Sequence, residues 1–181
     1  NKTTDCIMVG NLDHNKGIDR LVKLVERMPS VSFSVAGAGG KYSELKNCAN
    51  IHKNLKLLGC VPADKLATLM QQSKCLLSLS RNESFGLVLS EANACGLMCI
   101  VSETDGSAEQ LPEWKYTVSQ LGDEDEIIDC FEQQILQVLA LDKKDYEKVQ
   151  LDAQEKSSRF SLTSVTCQLS QIYQAQLNSE K

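Results

Sequence analysis

The sequence predicts an α/β fold: a Rossmann-like, doubly wound parallel sheet with helices on both faces and a helical C-terminal segment. Three observations predict it. Short apolar runs alternate with segments of helical periodicity through the first part of the chain. These runs are too continuously apolar for half-exposed strands, which suits a parallel sheet covered on both sides. Each run also ends in a polar or glycine-rich cluster, and in such folds ligands gather outside the carboxyl ends of the strands.

Taken in order, Cys6-Ile7-Met8-Val9 is a strand ending at Gly10, followed by a polar loop from Asn11 to Asn15. From Gly17 to Met28, Ile18, Leu21, Val22, Leu24 and Val25 recur at helical spacing. Val31 to Ala36 is a second strand, closed by Gly37-Ala38-Gly39-Gly40, with a helix around Tyr42 to Cys48. Leu55 to Leu58 is a third strand ending at Gly59, and Pro62 opens a helix running to about Gln72. Cys75 to Ser80 is the fourth strand, with a helix starting near Phe85. Gly96 stops that helix, and Cys99 to Ser102 is the fifth strand. Three helices are expected afterwards, over Asp123 to Leu139, Asp142 to Lys156 and Thr163 to Leu177. Five loops thus converge on one sheet edge: Asn11–Gly17, Gly37–Gly40, Gly59–Pro62, Arg81–Gly86 and Thr104–Glu109.

The 181 residues suit one domain with a sizeable core. Hydrophobic residues make up 42% and charged residues 24%, an ordinary globular composition. A net charge of -5 argues against a nucleic-acid or anionic-membrane surface. No apolar run approaches the length of a membrane span, and no signal peptide opens the chain. The chain begins at Asn1 and not at Met, so it is expected to be a piece of a longer protein. None of the eight cysteines forms a C-x-x-C pair, and His14 and His52 are isolated, so no zinc site is expected. Cys6, Cys75, Cys95 and Cys99 lie in or beside apolar runs, as small buried hydrophobes do. Free thiols fit a cytoplasmic location.

The chemistry concentrates in Glu83-Ser84-Phe85-Gly86-Leu87-Val88-Leu89-Ser90-Glu91. Were the segment helical from Ser84, Glu91 would lie roughly 12 Å along the axis from Glu83. The free N–H groups of Phe85, Gly86 and Leu87 would then face a phosphate or sugar oxygen. By spacing alone, the two acids read equally well as surface residues.

The stretch from Glu83 to Glu91, with Ala94-Cys95-Gly96 after it, resembles the E-x7-E signature of retaining family 4 glycosyltransferases of the GT-B fold. Val9-Gly10-Asn11 through Lys16-Gly17 is similar to that family's first donor-domain strand and loop, with Lys16 at its phosphate-binding lysine. The family usually has arginine where this chain has Asn11, so one cation is lacking unless a residue such as Arg81 substitutes. Val35-Ala36-Gly37-Ala38-Gly39 looks like its second-strand turn, with Gly37 giving close approach to the ligand. Gly59-Cys60-Val61-Pro62 resembles its G-x-V-P loop, where the Val61 main chain would pair with a nucleobase. Thr104 to Glu109 resembles the loop after the fifth strand, with Glu109 capping the next helix. Phe160-Ser161-Leu162 looks like the stretch where the last helix crosses back to the other domain. Asp123-Glu124-Asp125 has the D-x-D pattern of a metal site, but after Gly122 it reads as acids opening a helix.

The resemblance implies that residues 1–181 are the C-terminal, donor-binding domain of a two-domain enzyme whose N-terminal acceptor domain lies outside this sequence. The donor would be a UDP- or GDP-sugar, and the acceptor a saccharide or lipid-linked molecule in polysaccharide, lipopolysaccharide or glycolipid synthesis. Glu91 would hold the ribose, Glu83 the transferred sugar, and the Ser84–Leu87 segment the sugar or phosphate. Lys16 would offset charge on the leaving diphosphate. No cofactor, protein-held metal or nucleic acid is implied, and the missing domain would take the protein to the inner face of a membrane. The domain alone would bind nucleotide weakly and transfer nothing. A sugar-nucleotide epimerase-like domain or a non-catalytic nucleotide-binding scaffold is the alternative.

Overall fold

The computed structural model describes residues 2–111 and 113–179. Among the described residues, six parallel strands form one sheet in the order β3-β2-β1-β4-β5-β6. They are β1 (Thr4–Val9), β2 (Phe33–Ala36), β3 (Leu55–Gly59), β4 (Ser73–Ser78), β5 (Met98–Ser102) and β6 (Thr117–Val118). The order runs one way from β1 to β3 and the other way from β4 to β6, so the topological switch point lies between β1 and β4.

The helices are α1 (Ile18–Arg27), α2 (Tyr42–Ile51), α3 (Ala63–Gln71), α4 (Leu87–Ala94), α5 (Asp105–Gln110), α6 (Glu124–Leu139), α7 (Lys143–Ser158) and α8 (Leu162–Ser179). α1 packs beside α2 and α6, while α4 packs beside α3, α5 and α7, so two helical layers enclose the sheet. The central strands β4 and β5 are buried on both faces, with Cys75, Leu76, Leu77, Cys99, Ile100 and Val101 in the core. Cys6 lies there too, its Sγ 3.5 Å from that of Cys75. Cys95 is only half-buried.

The late helices begin where acids cap them. Asp123 accepts from the backbone N–H groups of Asp125 and Glu126, and Glu126 accepts from Asp123, a reciprocal cap. Asp142 caps α7 through the Asp145 N–H. α5 is opened by Thr104, whose hydroxyl pairs with the Ser107 N–H. Glu109, expected to cap a following helix, is instead inside α5.

α1 and α6 run side by side in the same direction, stitched by Arg20–Glu124, Lys23–Asp125 and Arg27 with Asp129 and Glu132. Arg20 is 2% exposed. It grips Glu124 with two nitrogens at 2.9 and 3.0 Å and donates to the Leu79 carbonyl and Gln120. The Asp123–Asp125 triplet is therefore used up in capping and in cross-helix pairs. α8 carries exposed Leu162, Val165, Leu169, Ile172, Tyr173 and Leu177.

Candidate active site

The loops after β1 and β4 meet at the switch point and enclose a cavity of about 480 Å³. Nine residues singled out from the sequence line it: Gly10, Asn11, Lys16, Glu83, Ser84, Phe85, Gly86, Leu87 and Glu91, together with Val9 and Val88. The cavity is open to solvent and lies at the carboxyl ends of the strands.

Two backbone features aim Lys16 into it. Its N–H is held 2.9 Å from the Asp13 carboxylate, which folds the loop back. Its stem then passes Gly10, with Cε 3.8 Å from where a Cβ would stand. The Lys16 ammonium meets the Glu83 carboxylate in a direct ion pair. Both side chains are mostly sheltered, 23% and 17% exposed, so the pair is poorly screened by solvent.

Helix α4 does not start at Ser84. Gly86 is its N-cap, in a left-handed conformation at φ 76° that a side chain would strain, and the first helical residue is Leu87. Residues 83–86 form an irregular loop, so the 12 Å axial spacing of Glu83 and Glu91 does not apply. Both acids still face one cavity. The N–H groups of Phe85, Gly86, Leu87 and Val88 all lack a backbone partner among the described residues. They present a partial positive charge to the cavity.

The loop is held from behind by α5. Gly106 donates its N–H to the Glu83 carbonyl at 2.8 Å. A Cβ on Gly106 would lie 2.6 Å from the Phe85 oxygen, so only glycine allows this approach. The side-chain amide of buried Gln110 donates to the carbonyls of Phe85 and Gly86, the latter at 2.9 Å. On the other side, the Phe85 ring packs edge-on against Phe160, 5.2 Å between centroids. The sequence reading missed Gln110. Nothing local marks it, because its partners lie 24 and 25 positions away.

Three expected contributors sit elsewhere. Gly37 does not line this cavity; its missing Cβ would fall 1.9 Å from the Gly10 oxygen, so it is packed closely against the loop after β1. Val61 lines a neighbouring cavity of about 450 Å³ with Leu58, Pro62, Lys65 and Leu69. A third cavity, lined by Ala63, Leu66, Ala67 and Met70 of α3 with Cys95, shares Glu91 with the first. Arg81 does not replace the missing cation beside Asn11. It binds Asp19 with both terminal nitrogens at 3.0 and 2.7 Å and reaches Glu124. Asn11 is turned to Asp13 at 2.6 Å, so among the described residues Lys16 is the one cation lining the cavity.

These attachments shift nearby carboxyls. Burial pushes Asp19 up, but the hydrogen bond and charge of Arg81 outweigh it and hold Asp19 below its ordinary value. The Arg20 hydrogen bond, with the charges of Arg20 and Arg81 added, lowers Glu124 against a smaller opposing effect of burial.

A parallel sheet with its cavity at the switch point, two carboxylates, one lysine and a helix N-terminus define a domain suited to phosphorylated, hydroxyl-rich ligands. The chain belongs to the glycosyl transferases of group 1, whose family model matches residues 1–155. It is 34% identical over 113 residues to the phosphatidylinositol N-acetylglucosaminyltransferase GPI3 subunit of Saccharomyces cerevisiae, covering 59% of this chain and 25% of that one. It is 29% identical over 114 residues to a Homo sapiens component of the same transferase, covering 59% of this chain and 24% of that one. The chain thus spans about a quarter of the length of these curated relatives. Among solved structures, the pneumococcal O-GlcNAc transferase GtfA in complex with UDP and GlcNAc superposes with a TM-score of 0.78 at 22% identity. That match covers 97% of this chain and 36% of that one. TarM superposes with a TM-score of 0.72 at 16% identity, over 93% of this chain and 35% of that one. These two likenesses speak to the fold alone.

Proposed function

We propose that this domain binds the nucleotide-sugar donor of a two-domain glycosyltransferase that moves a sugar with retention, and that the donor is UDP-N-acetylglucosamine. The observation that carries the reading is the single cavity at the switch point in which Lys16, Glu83, Glu91 and the α4 N-terminus converge. Glu91 adjoins both this cavity and the one along α3. A ribose at Glu91 would place its diphosphate at Lys16 and the α4 amides, and the base is assigned to the Val61 main chain on the likeness of Gly59-Cys60-Val61-Pro62 to the family's G-x-V-P loop.

Glu83 would accept hydrogen bonds from the sugar hydroxyls while Lys16 and the amides of Gly86, Leu87 and Val88 neutralise the leaving diphosphate. Because Lys16 already pairs with Glu83, phosphate and carboxylate share one ammonium, which sets the sugar beside the bond to be broken. The names of the yeast and human relatives support N-acetylglucosamine as the sugar and phosphatidylinositol as the acceptor. They favour glycolipid over polysaccharide or lipopolysaccharide synthesis. The acceptor site would lie on a preceding domain, which would also bring the protein to the cytoplasmic face of a membrane. No helix among the described residues is long and apolar enough to cross one.

The test is a donor screen on the full-length protein with product analysis, alongside calorimetry. UDP-N-acetylglucosamine is expected to bind saturably, and Lys16→Ala and Glu91→Ala are expected each to remove detectable binding. Preference for a GDP-sugar would overturn the donor assignment. A folded protein that binds no nucleotide sugar would make the domain a scaffold.

A further inference from the structure

We propose that Gln110 is a positioning residue for the donor: it sets the direction in which the Gly86 and Leu87 N–H groups point. This rests on the donor-site reading above. Gln110 lies at the end of α5, 1% exposed, and does not line the cavity. Every polar group of its side chain is engaged. The amide nitrogen donates to the carbonyls of Phe85 and Gly86, and Oε1 accepts from the Ser90 hydroxyl at 2.5 Å. The two carbonyls can only accept, so they fix which way round the amide sits, and Oε1 is left to accept from the Ser90 hydroxyl.

The consequence follows from peptide geometry. A trans peptide unit points its C=O and its N–H in opposite directions, and the described chain has no cis bonds. The Phe85 carbonyl shares its unit with the Gly86 N–H, and the Gly86 carbonyl shares its unit with the Leu87 N–H. Pulling both carbonyls back toward α5 therefore drives both N–H groups forward, into the cavity their residues line. Gly106 fixes the preceding Glu83 carbonyl from the same helix. Without the glutamine donor, the Phe85–Gly86 unit is the one freed to rotate about the left-handed Gly86, because glycine tolerates both hands of φ, while the Gly86–Leu87 unit keeps only the Leu89 N–H on its carbonyl at 2.8 Å. Oxyanion donors act through prior orientation, so a rotated unit loses a contact to the diphosphate and turns a carbonyl toward it.

The test compares Gln110→Leu, Gln110→Glu and Lys16→Ala in the full-length protein, with UDP and UDP-N-acetylglucosamine as probes, at temperatures where each variant is folded. Gln110→Leu is expected to raise Kd for both by about tenfold and to move the Gly86 and Leu87 amide resonances of the unliganded protein. Gln110→Glu keeps the shape and the Ser90 contact, and serves where Gln110→Leu fails to fold. Its buried carboxylate faces two carbonyls, so its binding defect is expected to shrink as pH falls toward about 6, where the acid form regains a donor. Wild-type binding is not expected to show this change. If Lys16→Ala abolishes binding while folded Gln110 variants bind like wild type, with only their melting temperature lowered, Gln110 is structural and the proposal fails. If wild type itself binds neither probe, the donor reading fails and this proposal falls with it.

Discussion

At the scale of single residues, the site is defined by side chains that would be costly to replace for different reasons. Lys16 and Glu83 neutralise one another at the cavity wall. In Glu83→Gln the lysine no longer shares its charge with a carboxylate. UDP affinity is expected to rise a fewfold while sugar transfer falls about a hundredfold, because the amide is a weaker acceptor for the sugar hydroxyls. Calorimetry and turnover measured on the same preparation separate the two effects. Gly37 is a packing constraint, with the Gly10 oxygen where its Cβ would be. Gly37→Ala is expected to destabilise the domain by about 3 kcal/mol or more, read as a lowered urea midpoint, because backbone must move on both strands. Arg20→Met keeps much of the buried stem but removes the hydrogen bonds to Glu124, Leu79 and Gln120. About 2 kcal/mol is expected to be lost, since the exposed Glu124 can rehydrate and the Leu79 carbonyl is left without that donor.

At the scale of elements, α1 and α6 are joined by charges, and this makes their packing depend on acid. Asp19 and Glu124 both sit below their ordinary values in the folded chain. A carboxyl of that kind contributes stability that is complete above its unfolded pKa and is lost as pH falls through the folded one. The domain should therefore lose stability as pH drops below about 4, the ordinary carboxylate value. Glu124→Gln should be less stable near neutrality and lose less on acidification. Thermal melts across that range check both. The outer pairs, Lys23–Asp125 and Arg27–Asp129, are solvent-exposed and should matter little.

The elements also show what the sequence could and could not reveal. β4 and β5 are legible because strands buried on both faces are continuously apolar, as Leu76-Leu77 and Ile100-Val101 are, whereas the edge strand β3 is only partly buried and is marked by its leucines and Gly59. β6, with only Thr117 and Val118, is too short to show a pattern. The start of α4 was misplaced because local propensity allows a helix from Ser84. The actual start is set by Gly86 and by contacts from α5, more than twenty positions away. The same reason hid Gln110, and it hid the engagement of Arg81 with Asp19. The cavity residues were legible where one short segment carries several of them, as Glu83 to Glu91 does.

For the whole molecule, the fold positions the site by topology. Strand order reverses between β1 and β4, so no crossover covers that edge and the two loops leave a cleft. The site is thus a property of the sheet, held rigid by strands buried on both faces.

The Lys16–Glu83 pair has one more consequence, for kinetics. With Glu91 included, the side chains on the cavity wall carry one formal positive and two formal negative charges, within a domain of net charge -5. An anionic nucleotide therefore approaches without a long-range attractive field, and only the short-range amides and Lys16 hold it on arrival. Association should run at an unsteered rate of about 10⁵–10⁷ M⁻¹s⁻¹. Added salt should leave that rate unchanged or raise it, as stopped-flow mixing at two ionic strengths would show.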